Sequence, residues 1–301
     1  MENQPPLDKR LEADDIITGE RIQELADVYL GYLEDFEYNP RIRHQSSKHR
    51  SLESITEAYD NPTIVFCYTH RVDDFYSKLG FFRNKFVLIT HNSDDNIDKF
   101  HPLLESPLLL RWYAQNVGFL HPKLVPIPIG IANDQWMHGS EFFRFYAHAQ
   151  PVEKTKDVYF QFSISTNEGK RRCCHDVLTQ KGVSFLSVMT PFDNLQRLTT
   201  YRYCVCPEGN GLDTHRLYEA LLCGCVPIVV DTPFVRVLLH HYPSLPLLVL
   251  SSWEAWKELD HPPTFDFHAF HSLLSLSTLQ NNIEKNWTKT SNVVLESVGV
   301  F

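Results

Sequence analysis

The chain has 301 residues, of which 43% are hydrophobic and 22% are charged, and its formal net charge at pH 7 is −9. This is the composition of a globular protein, and its length favours two domains of about 150 residues each. The acidic balance, with no compensating basic stripe, argues against a nucleic-acid partner. No apolar run approaches the ~20 residues that cross a bilayer, and the polar N-terminus is unlike a signal peptide. We therefore expect a soluble, cytoplasmic protein.

The seven cysteines favour a reduced setting, because their number is odd and no secretory signal precedes them. Cys204, Cys206, Cys223 and Cys225 have C-x-C spacing without a CxxC partner, which is a weak zinc signal. We expect these four to be small core residues on buried strands.

The first half of the chain reads as helices and strands that end in polar segments. Apolar residues at helical spacing predict a helix over residues 20–36, and β-forming runs predict strands at 63–68 and 86–90. Residues 108–117 read as a helix. Residues 125–131 read as a short strand that runs into a glycine turn.

The second half repeats this alternation after a polar segment at residues 151–156. Helices are predicted at 170–180, 192–200 and 267–287, and strands at 157–162, 183–187, 203–206, 226–230 and 247–250. Alternating strands and helices imply parallel sheets covered by helices on both faces.

The predicted fold class is α/β, with two doubly wound, Rossmann-like domains facing each other across a cleft. Residues 1–150 would form an N-terminal domain and residues 151–285 a C-terminal domain, while 286–301 would be a tail that packs back on the first domain. In such sheets, ligands bind outside the carboxyl ends of the strands. Polar residues collect at those predicted ends, at 69–74, 91–95, 130–134, 163–171 and 207–213.

The stretch from Cys204 to Asp231 is the most informative segment. It reads as a strand, a glycine-bearing loop, a helix with Asp213 as N-cap, a turn at Gly224 and a second buried strand. A loop of this kind directs backbone N–H groups and a positive helix end, with Arg216 in the first turn, towards one place. That arrangement suits an anion, and a diphosphate above all.

Charged and polar side chains concentrate around that one strand end, which strengthens the anion-site interpretation. They are Glu208, Asp213, His215, Arg216 and Glu219. Two simpler interpretations stay open: the loop of a βαβ unit often binds nothing, and Arg216 and Glu219, three apart, can form an exposed ion pair. Thr214 also stands where a dinucleotide fingerprint has its third glycine.

The segment CVCPEGNGLDTHRLYEALLCGCVPIVV, about 27 residues long, resembles the donor-binding signature of exostosin-like glycosyltransferases, which have the GT-B fold. A softer resemblance runs through KFVLITHNSDDNI and LLRWYAQNVGFLHPKLVPIPIGIAND. Within that family the chain is most similar to short, soluble, virus-encoded members that build surface glycans, some of which use UDP-xylose. We expect it to differ from the animal and plant enzymes in lacking a membrane anchor and a second catalytic module.

The resemblance implies transfer of a sugar from a nucleotide-sugar donor, most of all a UDP-sugar such as UDP-xylose, to a hydroxyl of a glycan acceptor. Transfer would be inverting and would need no metal or other cofactor. The diphosphate would be stabilised by cations and backbone amides, and the donor-binding residues implied are Ser163, Lys170, Arg171, Pro207, Glu208, Gly209, Asn210, Gly211, Asp213, Thr214, His215, Arg216 and Glu219.

Two of these assignments have specific reasons. Glu219 is assigned to the ribose, because a carboxylate can accept two hydrogen bonds from a vicinal diol. Lys170 and Arg171 start a predicted helix near the loop and can reach the phosphates, although a solvated first turn explains them equally well.

Inversion needs a base in the N-terminal domain that takes the proton of the acceptor hydroxyl. Asp73, at the end of the strongest predicted strand, is the first choice, with His70, Asp74 and His91 as competitors. Asp73 or Asp74 would otherwise cap the helix that follows.

Two alternative functions can be weighed against transfer. A sugar-nucleotide epimerase or dehydrogenase would have a full glycine fingerprint after the first strand and a Tyr-x-x-x-Lys pair, and neither is present. A catalytically inactive nucleotide- or glycan-binding protein of the same fold stays open.

Overall fold

A computed structural model describes residues 10–37, 46–257 and 268–285. The chain divides into two compact units. The six-stranded unit comprises Ile17–Pro128 and the described residues from Ser275 onward. The four-stranded unit comprises the described residues up to Ile16 and Ile129–Leu274. Both are α/β units built on parallel sheets, which is compatible with the predicted Rossmann-like class.

The six-stranded unit is built on a wholly parallel sheet. Its strands are β1 (Val28–Gly31), β2 (His49–Ser51), β3 (Ile64–Tyr68), β4 (Phe86–His91), β5 (Leu109–Ala114) and β6 (Leu124–Pro126). They lie in the order β2-β1-β3-β4-β5-β6, and every neighbouring pair is parallel. Each residue of β4 is buried, because strands on both sides and layers on both faces cover it.

This strand order contains one reversal. The chain passes from β1 outward to β2 and then returns to the other side of β1 to form β3. From β3 onward it moves in one direction only. A doubly wound sheet binds its ligands where the order reverses, outside the carboxyl ends of the two strands concerned. Here that place lies beyond Gly31 and Tyr68.

Two predicted helices of this unit are wrong. Residues 20–36 form α1 (Gly19–Glu24), then β1, then α2 (Leu33–Glu37), and residues 108–117 contain β5. Both mistakes involve short, mostly apolar runs, where periodicity cannot separate a helix from a buried strand. In the fold, pairing with the neighbouring strands makes both segments strands instead of helices. One further helix, α3 (Val72–Lys78), follows β3, and the strands predicted at 63–68 and 86–90 are confirmed.

The four-stranded unit also has a parallel sheet. Its strands are β7 (Lys156–Tyr159), β8 (Tyr201–Val205), β9 (Val226–Val230) and β10 (Leu248–Leu250), which lie in the order β10-β9-β8-β7. The strand predicted at 183–187 is absent from this described segment. Leu186 N still donates a hydrogen bond to Phe160 O, at 2.9 Å, next to the end of β7.

The helices of this unit surround its sheet. They are α4 (Met137–His148), α5 (Glu168–Gln180), α6 (Pro191–Leu198), α7 (His215–Leu222), α8 (Pro233–His241) and α9 (His268–Leu274). Pro191 and Pro233 stand in the first turns of α6 and α8, where a missing N–H costs nothing. Within the described ranges, no helix combines the length and the apolar character that crossing a membrane requires.

The division between the units falls at Pro128/Ile129, earlier than the boundary predicted at residue 150. The reason is α4, whose Phe142, Phe145 and Tyr146 are part of the core of the four-stranded unit. Phe145 also meets Phe192 of α6 edge to face, with ring centroids 6.0 Å apart.

The helix predicted at 267–287 is interrupted at Ser275. Residues 276–285 are helical, and Leu279 and Ile283 belong to the core of the six-stranded unit. Tyr113 donates a hydrogen bond to the carbonyl of Asn282 at 3.3 Å. The predicted return of the chain to the first domain therefore begins within the described residues, whereas the tail assigned to 286–301 lies outside them.

The packing of α4 predicts a large loss of stability for Phe142→Ala. Phe142 is fully buried and stacks on Tyr146, so truncation should lower the free energy of unfolding by about 3–5 kcal/mol. Met137→Ala, on the exposed start of the same helix, should change it by less than about 0.5 kcal/mol. Urea unfolding of both variants measures the difference, and equal losses would contradict the placement of α4.

Candidate functional site

The loop between β8 and α7 lies at the carboxyl edge of the four-stranded sheet, as predicted. Its N-cap differs from the prediction: Thr214 occupies that position, and Asp213 turns inward. The buried Asp213 carboxylate accepts hydrogen bonds from Ile129 N (2.7 Å), the Tyr218 hydroxyl (2.7 Å) and Thr214 N (2.8 Å). Asp213 therefore holds the loop in shape from within.

Burial has the largest effect on the pKa of this carboxyl group. It raises the pKa of Asp213 to about 7, although the three hydrogen bonds to its oxygens act in the opposite direction. A carboxyl group that is partly neutral near pH 7 repels a neighbouring anion less than an ionised one.

The other end of α7 is closed as predicted by Gly224, whose φ is +72°. Gly224 N donates to Leu221 O (2.9 Å) and Cys225 N donates to Ala220 O (2.8 Å), which is the hydrogen-bond pattern of a Schellman motif. Both ends of α7 are thus fixed, and with them the side chains of its first turn.

Arg171, in the first turns of α5, ties two loops together. Its Nε donates to Glu208 O at 2.9 Å and its Nη1 to Ser163 O at 2.8 Å. The residue is only 8% exposed, and its guanidinium has no carboxylate partner among the described residues. The guanidinium also lies over the ring of Phe162, 5.6 Å from its centroid. A buried cation held by two carbonyl oxygens and an aromatic ring is still costly unless an anion joins it.

Arg216 supplies a second guanidinium, which is partly buried, with 19% of its side chain exposed. Its Nε pairs with Glu219 Oε2 at 2.9 Å, and its Nη1 donates to Gln161 O at 2.8 Å. Burial lowers the pKa of Arg216, but the Glu219 carboxylate, together with Cys204 and Tyr159, outweighs burial, so the pKa lies above its usual value and the group stays charged. The predicted Arg216–Glu219 pair exists, and it is mostly buried.

The two guanidinium groups interact electrostatically. Burial, followed by the positive charge of Arg216, lowers the pKa of Arg171. In both arginines Nη2 has no hydrogen-bond partner among the described residues. Two cations with unused donors, balanced by a single carboxylate at Glu219, form a site that an anion would stabilise.

The glycine loop approaches this site closely. A Cβ on Gly209 would lie 3.4 Å from Arg171 Nη2, and Asn167 donates a hydrogen bond to Gly209 O at 2.6 Å. Lys170 reaches the same loop through an ion pair with Glu208. Lys170 and Arg171 thus both meet the predicted loop, but only Lys170 is mainly exposed.

A pocket of about 420 Å³ opens beside this loop, at the carboxyl ends of β8 and β9. This size lies in the range of small-molecule sites. Its lining is mainly apolar, with Phe234 and Trp253 as aromatic members and Glu208, Asp213 and Glu254 as acidic ones. Of the predicted donor residues, those that line it are Lys170, Pro207, Glu208, Asp213 and Thr214. The regions around Phe234 and Trp253 were missed, because neither belongs to a motif.

The remaining predicted donor residues have varied environments. Asn210 is exposed and Gly211 is buried. His215 Nδ1 lies 2.8 Å from Gly130 O, which fixes the ring against the backbone. Ser163, besides its carbonyl contact to Arg171, has its hydroxyl 3.0 Å from that of Ser165. Glu219 uses Oε2 for Arg216, while its Oε1 has no hydrogen-bond partner among the described residues.

The candidate bases of the six-stranded unit fall into different surroundings. The Asp73 side chain is 97% exposed and pairs with His101 at 3.1 Å, so it lies on the outside of α3. Asp74 is half exposed and lies 3.8 Å from Arg71 Nη1. His91 is buried, with Nε2 3.0 Å from Pro128 O. Neither Asp73 nor Asp74 is an N-cap, because that position belongs to Arg71.

His70 is the candidate base whose two ring nitrogens both contact polar side chains. Its Nε2 lies 3.1 Å from Asp35 Oδ1, and its Nδ1 lies 3.2 Å from Ser93 Oγ. Asp35 was missed because residues 20–36 read as one helix. The signal that could have revealed it is Gly31, which ends an apolar run and precedes two carboxylates.

No protein-family model and no curated protein sequence matches the chain. Groups of three or more His, Cys, Asp or Glu suited to a metal ion are also missing among the described residues. The features of the molecule that bear on its function are the two arginines, the pocket and the His70 cluster.

Asp213 predicts a measurable dependence of stability on pH. Its folded pKa of about 7 lies above that of a carboxyl in the unfolded chain, so the folded state keeps a proton that the unfolded chain has released. Its contribution is therefore fully present below about pH 4 and is lost as the pH rises to about 7, by at most about 1.4 kcal/mol per pH unit.

Asp213→Asn, which cannot titrate, should lack this contribution. Urea unfolding of both proteins at pH 5 and pH 7 isolates it, because all other titrating groups are shared. Wild type should lose more stability than the variant between these values. Parallel pH profiles would contradict a raised pKa at Asp213.

Proposed function

We propose that this protein is a glycosyltransferase that moves a sugar from a UDP-sugar to a hydroxyl group of a glycan, with UDP-xylose as a leading candidate donor. The single observation that supports this most is the pair of guanidinium groups of Arg171, which is buried, and Arg216, which is partly buried, next to a loop that lines a pocket of nucleoside size. The proposal includes a GT-B arrangement with the donor on the four-stranded unit and the acceptor on the six-stranded unit, and action in the cytoplasm.

The two arginines suit the leaving group of such a reaction. When the bond to the sugar breaks, a nucleoside diphosphate departs and negative charge grows on its β-phosphate. The Nη2 groups of Arg171 and Arg216, which have no other partner among the described residues, can donate to phosphate oxygens. The first-turn amides of α7 add a positive helix end. We propose that these fixed positive charges stabilise the departing diphosphate in place of a divalent cation.

The pocket suits the nucleoside. Phe234 and Trp253 offer aromatic surface to a flat base, and carboxylates near the loop can accept hydrogen bonds from ribose hydroxyls. Two carboxylates are candidates for the ribose. Glu219 has a free Oε1 beside Arg216, and Glu208 lines the pocket itself.

Thermal-shift measurements with UDP, GDP and CDP sugars test the donor class. We expect UDP compounds to raise the melting temperature most, because a ligand that binds only the folded form stabilises it by about 2.7 kcal/mol at a hundredfold excess over Kd. Adding EDTA should leave the shift unchanged. Product formation from labelled UDP-sugars then separates a transferase from a protein that binds without turnover.

Arg171→Met tests the anion site against a matched control. The variant should lose most of the stabilisation by UDP, since it removes a buried cation that has no carboxylate partner among the described residues. Arg236→Met removes an exposed arginine of the same unit, paired with Asp231, and should keep the full shift. Equal shifts in wild type and Arg171→Met would contradict the proposed site.

A further inference from the structure

A second polar cluster lies at the reversal of the six-stranded sheet, beyond the ends of β1 and β3. Asp35 follows β1 in the first turn of α2, and its side chain is only 4% exposed. Its Oδ2 accepts a hydrogen bond from Tyr32 N at 2.7 Å, so it fixes the start of the helix. A Cβ on Gly31 would lie 3.0 Å from that same oxygen, which explains why a glycine ends the strand.

Arg71 holds the Asp35 carboxylate from the other side. Its Nε donates to Oδ2 at 3.0 Å and its Nη2 to Oδ1 at 3.1 Å, in a two-pronged contact. Burial alone would raise the pKa of Asp35, but the hydrogen bonds from Arg71, Tyr32 N and His70 outweigh it and the pKa lies below its usual value. Asp35 is therefore ionised at neutral pH and can only accept hydrogen bonds.

This ionised carboxylate determines the tautomer of His70. His70 Nε2, 3.1 Å from Asp35 Oδ1, must carry the proton, and Nδ1 of the neutral ring is then a lone pair. Ser93 Oγ lies 3.2 Å from that lone pair. The serine hydroxyl already accepts from Asp95 N at 3.2 Å, so its own hydrogen is available to donate to His70.

The segment that carries Ser93 is held in place. Asn92 has a φ of +54°, in the left-handed region, which turns the chain sharply after β4. The buried Asn116 donates to the carbonyls of Ser93 at 3.3 Å and Asp95 at 3.2 Å. A hydroxyl group is thus presented to a histidine base in a fixed geometry.

His70 can be reached from solvent, since its side chain is 37% exposed. The unit offers a direct comparison in His101, which also lies 3.1 Å from a carboxylate, that of Asp73. His101 Nδ1, however, accepts a hydrogen bond from Leu103 N and is not open to a substrate. Among the histidine–carboxylate pairs that the described residues form, only the His70 pair combines a buried, ionised carboxylate with a ring nitrogen whose partner is a side-chain hydroxyl, which a substrate hydroxyl can replace.

We propose that His70 Nδ1 is the general base that deprotonates the acceptor hydroxyl, with Asp35 as its positioning residue. The acceptor hydroxyl takes the place of Ser93 as the donor to Nδ1. Its oxygen forms a bond to the anomeric carbon while the bond from that carbon to the β-phosphate oxygen breaks. The electron pair leaves with UDP, and the proton moves to His70 and from there to water. This inference rests on the proposed transferase function.

His70→Ala tests the base directly. With UDP-[¹⁴C]xylose and UDP-[¹⁴C]glucose as donors and p-nitrophenyl pyranosides as acceptors, kcat should fall by about 10²–10⁴-fold while KM for the donor changes little. Added imidazole should restore part of the rate, because it can enter the space of the exposed ring. A purely structural role would not respond to imidazole.

His101→Ala is the matched control, because it removes a second histidine that pairs with a carboxylate at the same distance. It should keep kcat within about twofold of wild type and show no response to imidazole. A large loss of kcat in His101→Ala together with near-wild-type transfer in His70→Ala would overturn the assignment in favour of the Asp73 side of α3.

Asp35→Asn tests the positioning role. The amide keeps the shape but can offer a hydrogen to Nε2, which favours the tautomer with a proton on Nδ1. We expect kcat to fall at least tenfold with an unchanged KM for the donor. If this variant fails to fold, the imidazole response of His70→Ala still decides the proposal.

The outcomes separate this inference from the function on which it rests. Transfer by wild type with equal transfer by His70→Ala overturns the base and leaves the transferase standing. No transfer by wild type, and no thermal shift with UDP, overturns both. Loss of kcat in His70→Ala, rescued by imidazole while the UDP shift stays intact, supports both.

Discussion

The buried guanidinium of Arg171 is the constraint on which the proposed site depends. It is held by the carbonyl oxygens of Glu208 and Ser163, and it faces the positive charge of Arg216 without a carboxylate of its own among the described residues. A fold keeps such a group only if something compensates it. We therefore propose that the loops at the carboxyl edge of the four-stranded sheet frame a site for an anion.

The surroundings of this pair limit what the anion can be. A pocket of about 420 Å³ with Phe234 and Trp253 in its lining opens beside the loop, so the ligand has a flat or apolar part as well as a charge. The neighbouring Asp213 carboxyl has a pKa of about 7 and is balanced between its two charge states near neutrality. A nucleoside diphosphate meets these requirements together, which a simple inorganic ion does not.

The sequence predicted the parts of the fold that local signals determine. The β8–α7–β9 unit, with its glycine loop and the positive φ at Gly224, is one such part, because strand, turn and helix signals agree there. The errors at β1 and β5 arose in short, mostly apolar runs, where the patterns of a helix and of a buried strand look alike. Asp35 was hidden by the same error, and Asp213 was misread as a cap because its partners Ile129 and Tyr218 are recognisable only in three dimensions.

The most direct test is a crystal structure with bound UDP. The account predicts density for the β-phosphate within hydrogen-bond distance of Nη2 of both Arg171 and Arg216, with the base in the pocket beside Trp253. A well-ordered nucleotide bound away from both arginines would contradict it.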